Sequence, residues 1–123
     1  MILVDTSVWV DHLRSTDSTL VSLLNSGQVL THPFVMGELA LGNLLQRDAI
    51  LDTLNNMPRT KIATDEEVLA HINQSKLYGQ GVGYIDAHLL TSVRLTPGTL
   101  LWTQDKRLSV AASQLRLLAV FAH

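Results

Sequence analysis

Four carboxylates stand where the sequence gives them no cationic company. Glu38 is the only charged residue between His32 and Gln46, inside Phe34-Val35-Met36-Gly37-Glu38-Leu39-Ala40-Leu41. Asp86 is the only charged residue from Leu77 through Val93. Asp5 closes the apolar run Ile2-Leu3-Val4, and Asp105 follows Leu100-Leu101-Trp102-Thr103-Gln104. Burying an unpaired carboxylate is expensive, so acids embedded in apolar sequence need partners. Carboxylates that meet at one place repel each other unless something positive lies between them. A hard divalent cation, Mg²⁺ or Mn²⁺, is the simplest such partner, because hard cations take oxygen ligands. The competing reading of each acid alone is a helix cap or a lone ion-pair partner.

Positioning these acids requires strands that end, and helices that begin, at the right places. Residues 2–5 read as a short strand buried on both faces, as in parallel sheets. Ser7 either caps a helix over 8–14 or holds Asp5 in place with its hydroxyl. A helix is expected over 18–25, with Leu20, Leu23 and Leu24 on one face and Gly27 as its stop. A brief strand follows at 28–31. Pro33 suits a helix first turn, continued over 34–45, and 47–56 is a further helix ended by Met57-Pro58. Residues 60–63 are expected as a strand. Thr64, with Glu67 three residues on, forms a capping box opening a helix to about residue 77. Then come a loop at 79–83, a helix over 84–94 and a turn at Pro97-Gly98. A strand at 100–103, a helix over 105–114 and a last strand at 117–121 complete the chain.

Strands alternating with helices give an α/β sandwich around a mostly parallel sheet, as one domain over residues 1–123. Asp5 and Asp105 then lie at the C-terminal ends of parallel strands, the edge where open α/β sheets hold ligands. Asp86 falls in the first turn of its helix, where negative charge is favoured. Glu38 lies on a helix that covers the same edge.

Composition narrows the possibilities further. With 46% hydrophobic and 16% charged residues, the chain has the material for a buried core and does not read as disordered. It has no cysteine, which excludes a disulfide scaffold or zinc–thiolate site and suits a reducing compartment. The opening MILVDTSVW has neither a basic stretch nor a small-residue cleavage site, so no secretory signal is expected. The longest charge-free stretch, 18–37, is broken by Asn25, Ser26, Gly27, Gln28, His32 and Pro33. It cannot supply the roughly 20 predominantly apolar residues of a membrane span. A soluble, cytoplasmic protein is the expectation. The formal charge is −2, and setting aside the four acids turns the remainder to +2, so charge neither supports nor excludes a nucleic-acid partner.

Taken in order, Asp5-Thr6-Ser7-Val8-Trp9, Glu38, Tyr84-Ile85-Asp86-Ala87-His88-Leu89-Leu90 and Thr103-Gln104-Asp105-Lys106-Arg107-Leu108 resemble the PIN domain, and more narrowly the VapC toxins of bacterial toxin–antitoxin pairs. The resemblance spans the whole chain. It implies a three-layer α/β/α sandwich and a Mg²⁺- or Mn²⁺-dependent endoribonuclease. It also implies a homodimer and a small antitoxin protein that plugs the site. Matched residue by residue, Asp5, Glu38, Asp86 and Asp105 take the family's acidic positions. Lys106 and Arg107 follow Asp105 where the family often carries a further acid, so one metal or two is left open.

On this reading the reaction is hydrolysis of an RNA phosphodiester by an activated water, with no side chain as nucleophile. Asp5 is the expected central ligand, Asp86 and Glu38 complete the set, and Asp105 binds directly or through water. Thr103 is either a strand residue or a donor behind the ligands. Arg14, Lys106 and Arg107 are solvated surface or phosphate contacts. Trp9 and Tyr84 are packing residues or base-stacking ones. His88, two residues after Asp86, is turned roughly 200° around the helix, away from the site. His12, His32, His71 and His123 show no ligand spacing. The glycines of 79–83 follow a helix, not a strand, which argues against a dinucleotide loop. An aspartate-nucleophile phosphatase wants a second acid at position 7, which is Ser. A phospho-accepting receiver wants paired acids, but Thr6 follows Asp5. The remaining alternative is a PIN-like RNA- or protein-binding module without turnover.

Overall fold

The central strand β1 (Ile2–Val4) is buried along its whole length. Successive strand residues point to opposite faces, so both faces of the sheet are covered and the architecture has three layers. In this computed structural model, which describes residues 1–121, β1 pairs in parallel with β2 (Val29–Leu30) and β3 (Leu100–Trp102), giving the order β2-β1-β3. Leu3 faces Leu30 on one side and Leu101 on the other. His123 lies outside the described residues.

Two expected strands are not strands. The segment 60–63 forms no strand, and the bridge between Thr31 and Arg59 lies just before it. Beyond it, the side chains of a helix take the backbone donors that a ladder would use. Thr96 Oγ1 accepts from the Lys61 amide at 2.9 Å, and Ser92 Oγ accepts from the Ala63 amide at 3.1 Å. The segment 117–121 likewise makes one bridge, Leu118 to Leu101, after Arg116 turns the chain through a left-handed conformation.

The helices are α1 (Thr6–Arg14), α2 (Ser18–Asn25), α3 (Pro33–Ala40), α4 (Arg47–Asn55), α5 (Asp65–Gln74), α6 (Tyr84–Leu95) and α7 (Lys106–Gln114). α1 starts two residues earlier than expected, and Ser7 is not its cap. α3 stops at Ala40, short of residue 45. Gly42-Asn43 follows, a pair of weak helix formers, and the Arg47 guanidinium donates twice to the Ala40 carbonyl, at 3.1 and 2.9 Å. That cation satisfies a carbonyl the helix would otherwise leave open. The capping box forms: Thr64 Oγ1 accepts from the Glu67 amide at 3.1 Å and Glu67 Oε1 from the Thr64 amide at 2.9 Å. α5 ends before residue 77 because Lys76 turns left-handed and the Leu77 amide reaches back to the Ile72 carbonyl.

The core gathers Leu3, Val4, Leu20, Val35, Leu39, Leu89, Leu90 and Leu101 around the sheet. Burying each such side chain stabilises the fold by about 1.5–3 kcal/mol, and this packing fixes where the strand ends point.

Candidate active site

Asp5 leaves β1 at its C-terminal end and becomes the N-cap of α1, with φ −69° and ψ 156°. An Asp at this position ordinarily accepts from a free amide of the first turn. This one does not. Its Oδ2 accepts instead from Ser7 Oγ and from Thr103 Oγ1, both at 2.8 Å. Each hydroxyl has one proton and gives it to Asp5, so the 3.3 Å contact between the two hydroxyl oxygens carries no hydrogen bond of its own. Both oxygens are also fixed from behind: Ser7 Oγ accepts from the Gln104 amide at 2.9 Å, and Thr103 Oγ1 from the Asp105 amide at 3.1 Å. The carboxylate is 5% exposed and rigidly held, with Oδ1 left free. Of the two readings of Ser7, the structure selects the one in which it holds Asp5, and Thr103 does the same from β3.

Glu38 sits on the exposed side of α3, and its Oε1 accepts from Thr6 Oγ1 at 2.8 Å. Thr6 was not singled out by sequence reasoning, although it belongs to the Asp5-Thr6-Ser7 run. The two consecutive hydroxyls serve two different acids.

Asp86 lies in the first turn of α6, half-buried. Its carboxyl is pushed up to about 6, first by burial and then by the charges of Asp5, Asp105 and Glu38. The charges of all three other acids therefore reach it. Among the described residues the ion pairs are Arg47–Asp48 and His88–Asp65, so none of the four acids has a cationic partner.

Asp105 is different. It follows β3 and caps α7, its Oδ1 accepting from the Leu108 amide at 2.9 Å. The cap reading thus holds for this acid, while its charge still reaches Asp86. One oxygen is engaged structurally, and the other is available to the cluster.

The donor set is four hard oxygen ligands without cations, which suits Mg²⁺ or Mn²⁺ and no soft metal. Among the described residues no three acids or histidines close into a preassembled cage. The fit is therefore one of ligand type and charge.

The histidines stay out of this. His88 bonds Asp65 Oδ1 at 3.0 Å and packs edge-on against Phe34 and Tyr84, so it does point away from the cluster. His32 is buried, caps α3 through Nδ1 and bonds Ser92 through Nε2. Its pKa is lowered to about 4, chiefly by burial, with the charges of His88 and Arg59 behind. Trp9 is buried in the core, whereas Tyr84 is partly exposed and donates to Asp65 Oδ1 at 2.9 Å.

The family model described as "PIN domain" matches residues 2–114. Two proteins, each named Ribonuclease VapC32, from Mycobacterium tuberculosis strains CDC 1551 / Oshkosh and ATCC 25618 / H37Rv, are each 49% identical to this chain over 114 residues. The match covers 93% of this chain and 92% of each relative.

Proposed function

The chain belongs to the PIN-domain family, and from that premise we propose that Asp5, Glu38, Asp86 and Asp105 hold Mg²⁺ or Mn²⁺ for the hydrolysis of RNA phosphodiester bonds. It is a ribonuclease of the VapC kind, like the relatives it matches along nearly its whole length. The observation that carries the site assignment is Asp5: buried at the end of β1, it makes no cap bond, is held by two hydroxyls, and neither it nor the other three acids has a cationic partner among the described residues.

Asp5, Glu38, Asp86 and Asp105 would hold the divalent cation, which when bound would supply charge neutralisation at the phosphoryl oxygens and a more acidic attacking water. The protein's own work is positioning. Ser7 and Thr103 fix the Asp5 carboxylate with Oδ1 turned outward, and Thr6 fixes Glu38. Burial, and then the charges of its acidic neighbours, raise the Asp86 pKa to about 6. Burial of Asp5 at the strand end keeps competing water away from its inner oxygen.

The same reading calls for three partners: the RNA substrate, a small cognate antitoxin and a second copy of the chain. An acidic cluster without cations attracts an arginine, which matches carboxylates in a bidentate fashion, so the antitoxin is expected to insert one. No helix among the described residues is long and apolar enough to cross a membrane. We place the protein in the cytoplasm, where its RNA would be.

The test is cleavage of total RNA by the purified protein in millimolar Mn²⁺, in EDTA, and with Asp86→Asn. Cleavage that needs Mn²⁺, leaves 5′-phosphate ends and disappears in the variant supports the reading. Full activity in EDTA from a clean preparation overturns the metal mechanism. RNA binding without cleavage in Mn²⁺ would mark a binding module instead.

A further inference from the structure

The acids do not account for a cleft of about 480 Å³ between the loop at 79–83 and α7, lined by Gln80, Lys106, Arg107, Val110 and Gln114. Its walls are continuous in the chain with the acidic site. The loop runs into α6 just ahead of Asp86, and α7 begins on the residue after Asp105. Lys106 and Arg107 of the cleft are thus one and two residues from Asp105.

Lys106 and Arg107 occupy the first turn of α7, the positive end of the helix dipole, where cations are unfavourable. Neither is in an ion pair among the described residues. They therefore do not neutralise the neighbouring acids. Arg107 lies beside Gly81, where a Cβ would fall 2.6 Å from both Arg107 Cδ and Nη1. Gly81 has φ +76°, a left-handed backbone that favours glycine and lets the loop pass close under the Arg107 side chain. A guanidinium lying along a backbone turn, with no acid partner among the described residues, is open to an anion.

Two glutamines extend the lining on either side of the cations. Gln80 Nε2 donates to the Lys76 carbonyl at 2.8 Å, which fixes the side chain and leaves its Oε1 as an acceptor. Gln114 closes α7, about 12 Å from Lys106 by a rise of roughly 1.5 Å per residue. Two cations near the acids, followed by amides that donate and accept, suit a charged backbone carrying hydrogen-bonding bases. Such base edges are accessible in single strands, not inside an RNA duplex.

We propose, resting on the ribonuclease reading, that this cleft holds the single RNA strand that runs out of the acidic site, with Lys106 and Arg107 on phosphates and Gln80 and Gln114 on base or ribose edges. The cleft supplies affinity and sequence preference, and the acids supply turnover.

The test is steady-state cleavage of a fluorogenic single-stranded RNA by the Mn²⁺-loaded protein across a series of salt concentrations. Lys106→Gln with Arg107→Gln should raise KM about tenfold, leave kcat within about twofold, and lower the slope of log KM against log salt by about 1.4, from roughly 0.7 per phosphate contact in single strands. Lys61→Gln with Arg94→Gln removes the same charge near the C-terminal end of α6 and should leave the slope as in wild type. If wild type cleaves and the Lys106/Arg107 double variant keeps its KM and slope, or loses kcat instead of KM, the cleft assignment is wrong and the ribonuclease reading stands. If wild type itself neither binds nor cleaves RNA in Mn²⁺, the ribonuclease reading fails and takes this proposal with it.

Discussion

Asp86→Asn should abolish cleavage and yet stabilise the metal-free protein. The carboxyl is raised from 3.8 to about 6 by burial and by Asp5, Asp105 and Glu38. A shift of about two units corresponds to roughly 3 kcal/mol at about 1.4 kcal/mol per unit. Asp86 is only half-buried, and solvent screening reduces this to about 1 kcal/mol. The sign follows from proton linkage. Between pH 3.8 and about 6 the folded state holds a proton on Asp86 that the unfolded state has released, so its contribution to stability falls as pH rises. The penalty is absent below that window and complete above it. Asn keeps the shape and carries no charge, so the variant should melt about 3–5 °C higher than wild type in EDTA at pH 7.5, with the gap closing near pH 4. His32 works in the opposite direction. Its pKa is lowered to about 4, so it adds stability as pH rises from 4 to 6.5. The difference between variant and wild type, not either melt alone, therefore isolates Asp86. In Mn²⁺ at a hundred times its Kd, wild type should gain about 2.7 kcal/mol and overtake the variant. A variant that melts below wild type in EDTA at every pH, with neither protein responding to Mn²⁺, would show Asp86 to be a structural acid and remove the basis of the cluster.

The remaining expectations concern the residues behind the acids and the partner in front of them. Thr103→Val removes one of two donors to Asp5 Oδ2 and should cost about 10–100-fold in Mn²⁺ affinity or kcat, read by metal titration of the cleavage rate. Thr103→Ser, which keeps the hydroxyl, should restore most of it. Thr6→Val frees Glu38 and should weaken Mn²⁺ in the same titration with little change in the thermal midpoint, since the Thr6–Glu38 bond is exposed. The product of a neighbouring gene, a small protein that offers an arginine to the acids, should inhibit cleavage at micromolar concentration. If purified protein of that kind neither binds nor inhibits, the toxin reading is lost while the ribonuclease remains.

The acids were legible because burial makes charge expensive. A single Glu in 32–46 and a single Asp in 77–93 stand out against apolar sequence, and strand ends can be placed from Ile2-Leu3-Val4 and Leu100-Leu101-Trp102. α2, the capping box at Thr64 and the ends of α4 and α6 were legible for a related reason: their signals lie within a few residues of the element they set. What was not legible depends on partners distant in sequence. Residues 60–63 look like a strand locally, but Ser92 and Thr96 of α6 take their amides. The end of α3 is fixed partly by Arg47, seven residues beyond the carbonyl it satisfies. The Thr6–Glu38 bond joins residues 32 apart, and Arg107 meets Gly81 across two elements. No local pattern announces such pairs.

Helix caps show how the fold separates structural acids from reactive ones. Asp17 and Asp105 cap α2 and α7 through Oδ1, the ordinary arrangement for an Asp at that position. Asp5 occupies the same kind of position on α1 and forgoes the bond. A lost cap costs about 1 kcal/mol, and the first turn of α1 bears that cost while Ser7 and Thr103 turn the carboxylate toward the cluster. Bonds from hydroxyls to a charged oxygen contribute about 1.5–3 kcal/mol each, so the diverted geometry is stable without a metal. The two hydroxyls come from α1 and from the residue after β3, and the parallel pairing of Val4 with Trp102, with the Asp5 amide on the Trp102 carbonyl at 2.9 Å, brings those two segments together. Register in the sheet therefore controls the orientation of Asp5. A substitution that loosened this pairing, such as Leu101→Ala in the fully buried core, should lower kcat even in protein that remains folded, and should do so while Glu38 and Asp86 stay on their own helices. Asp105, already committed to its cap, is the acid whose loss should cost stability in EDTA, the opposite of Asp86. The same pair of melts distinguishes an acid that holds the fold together from one that the fold holds under strain.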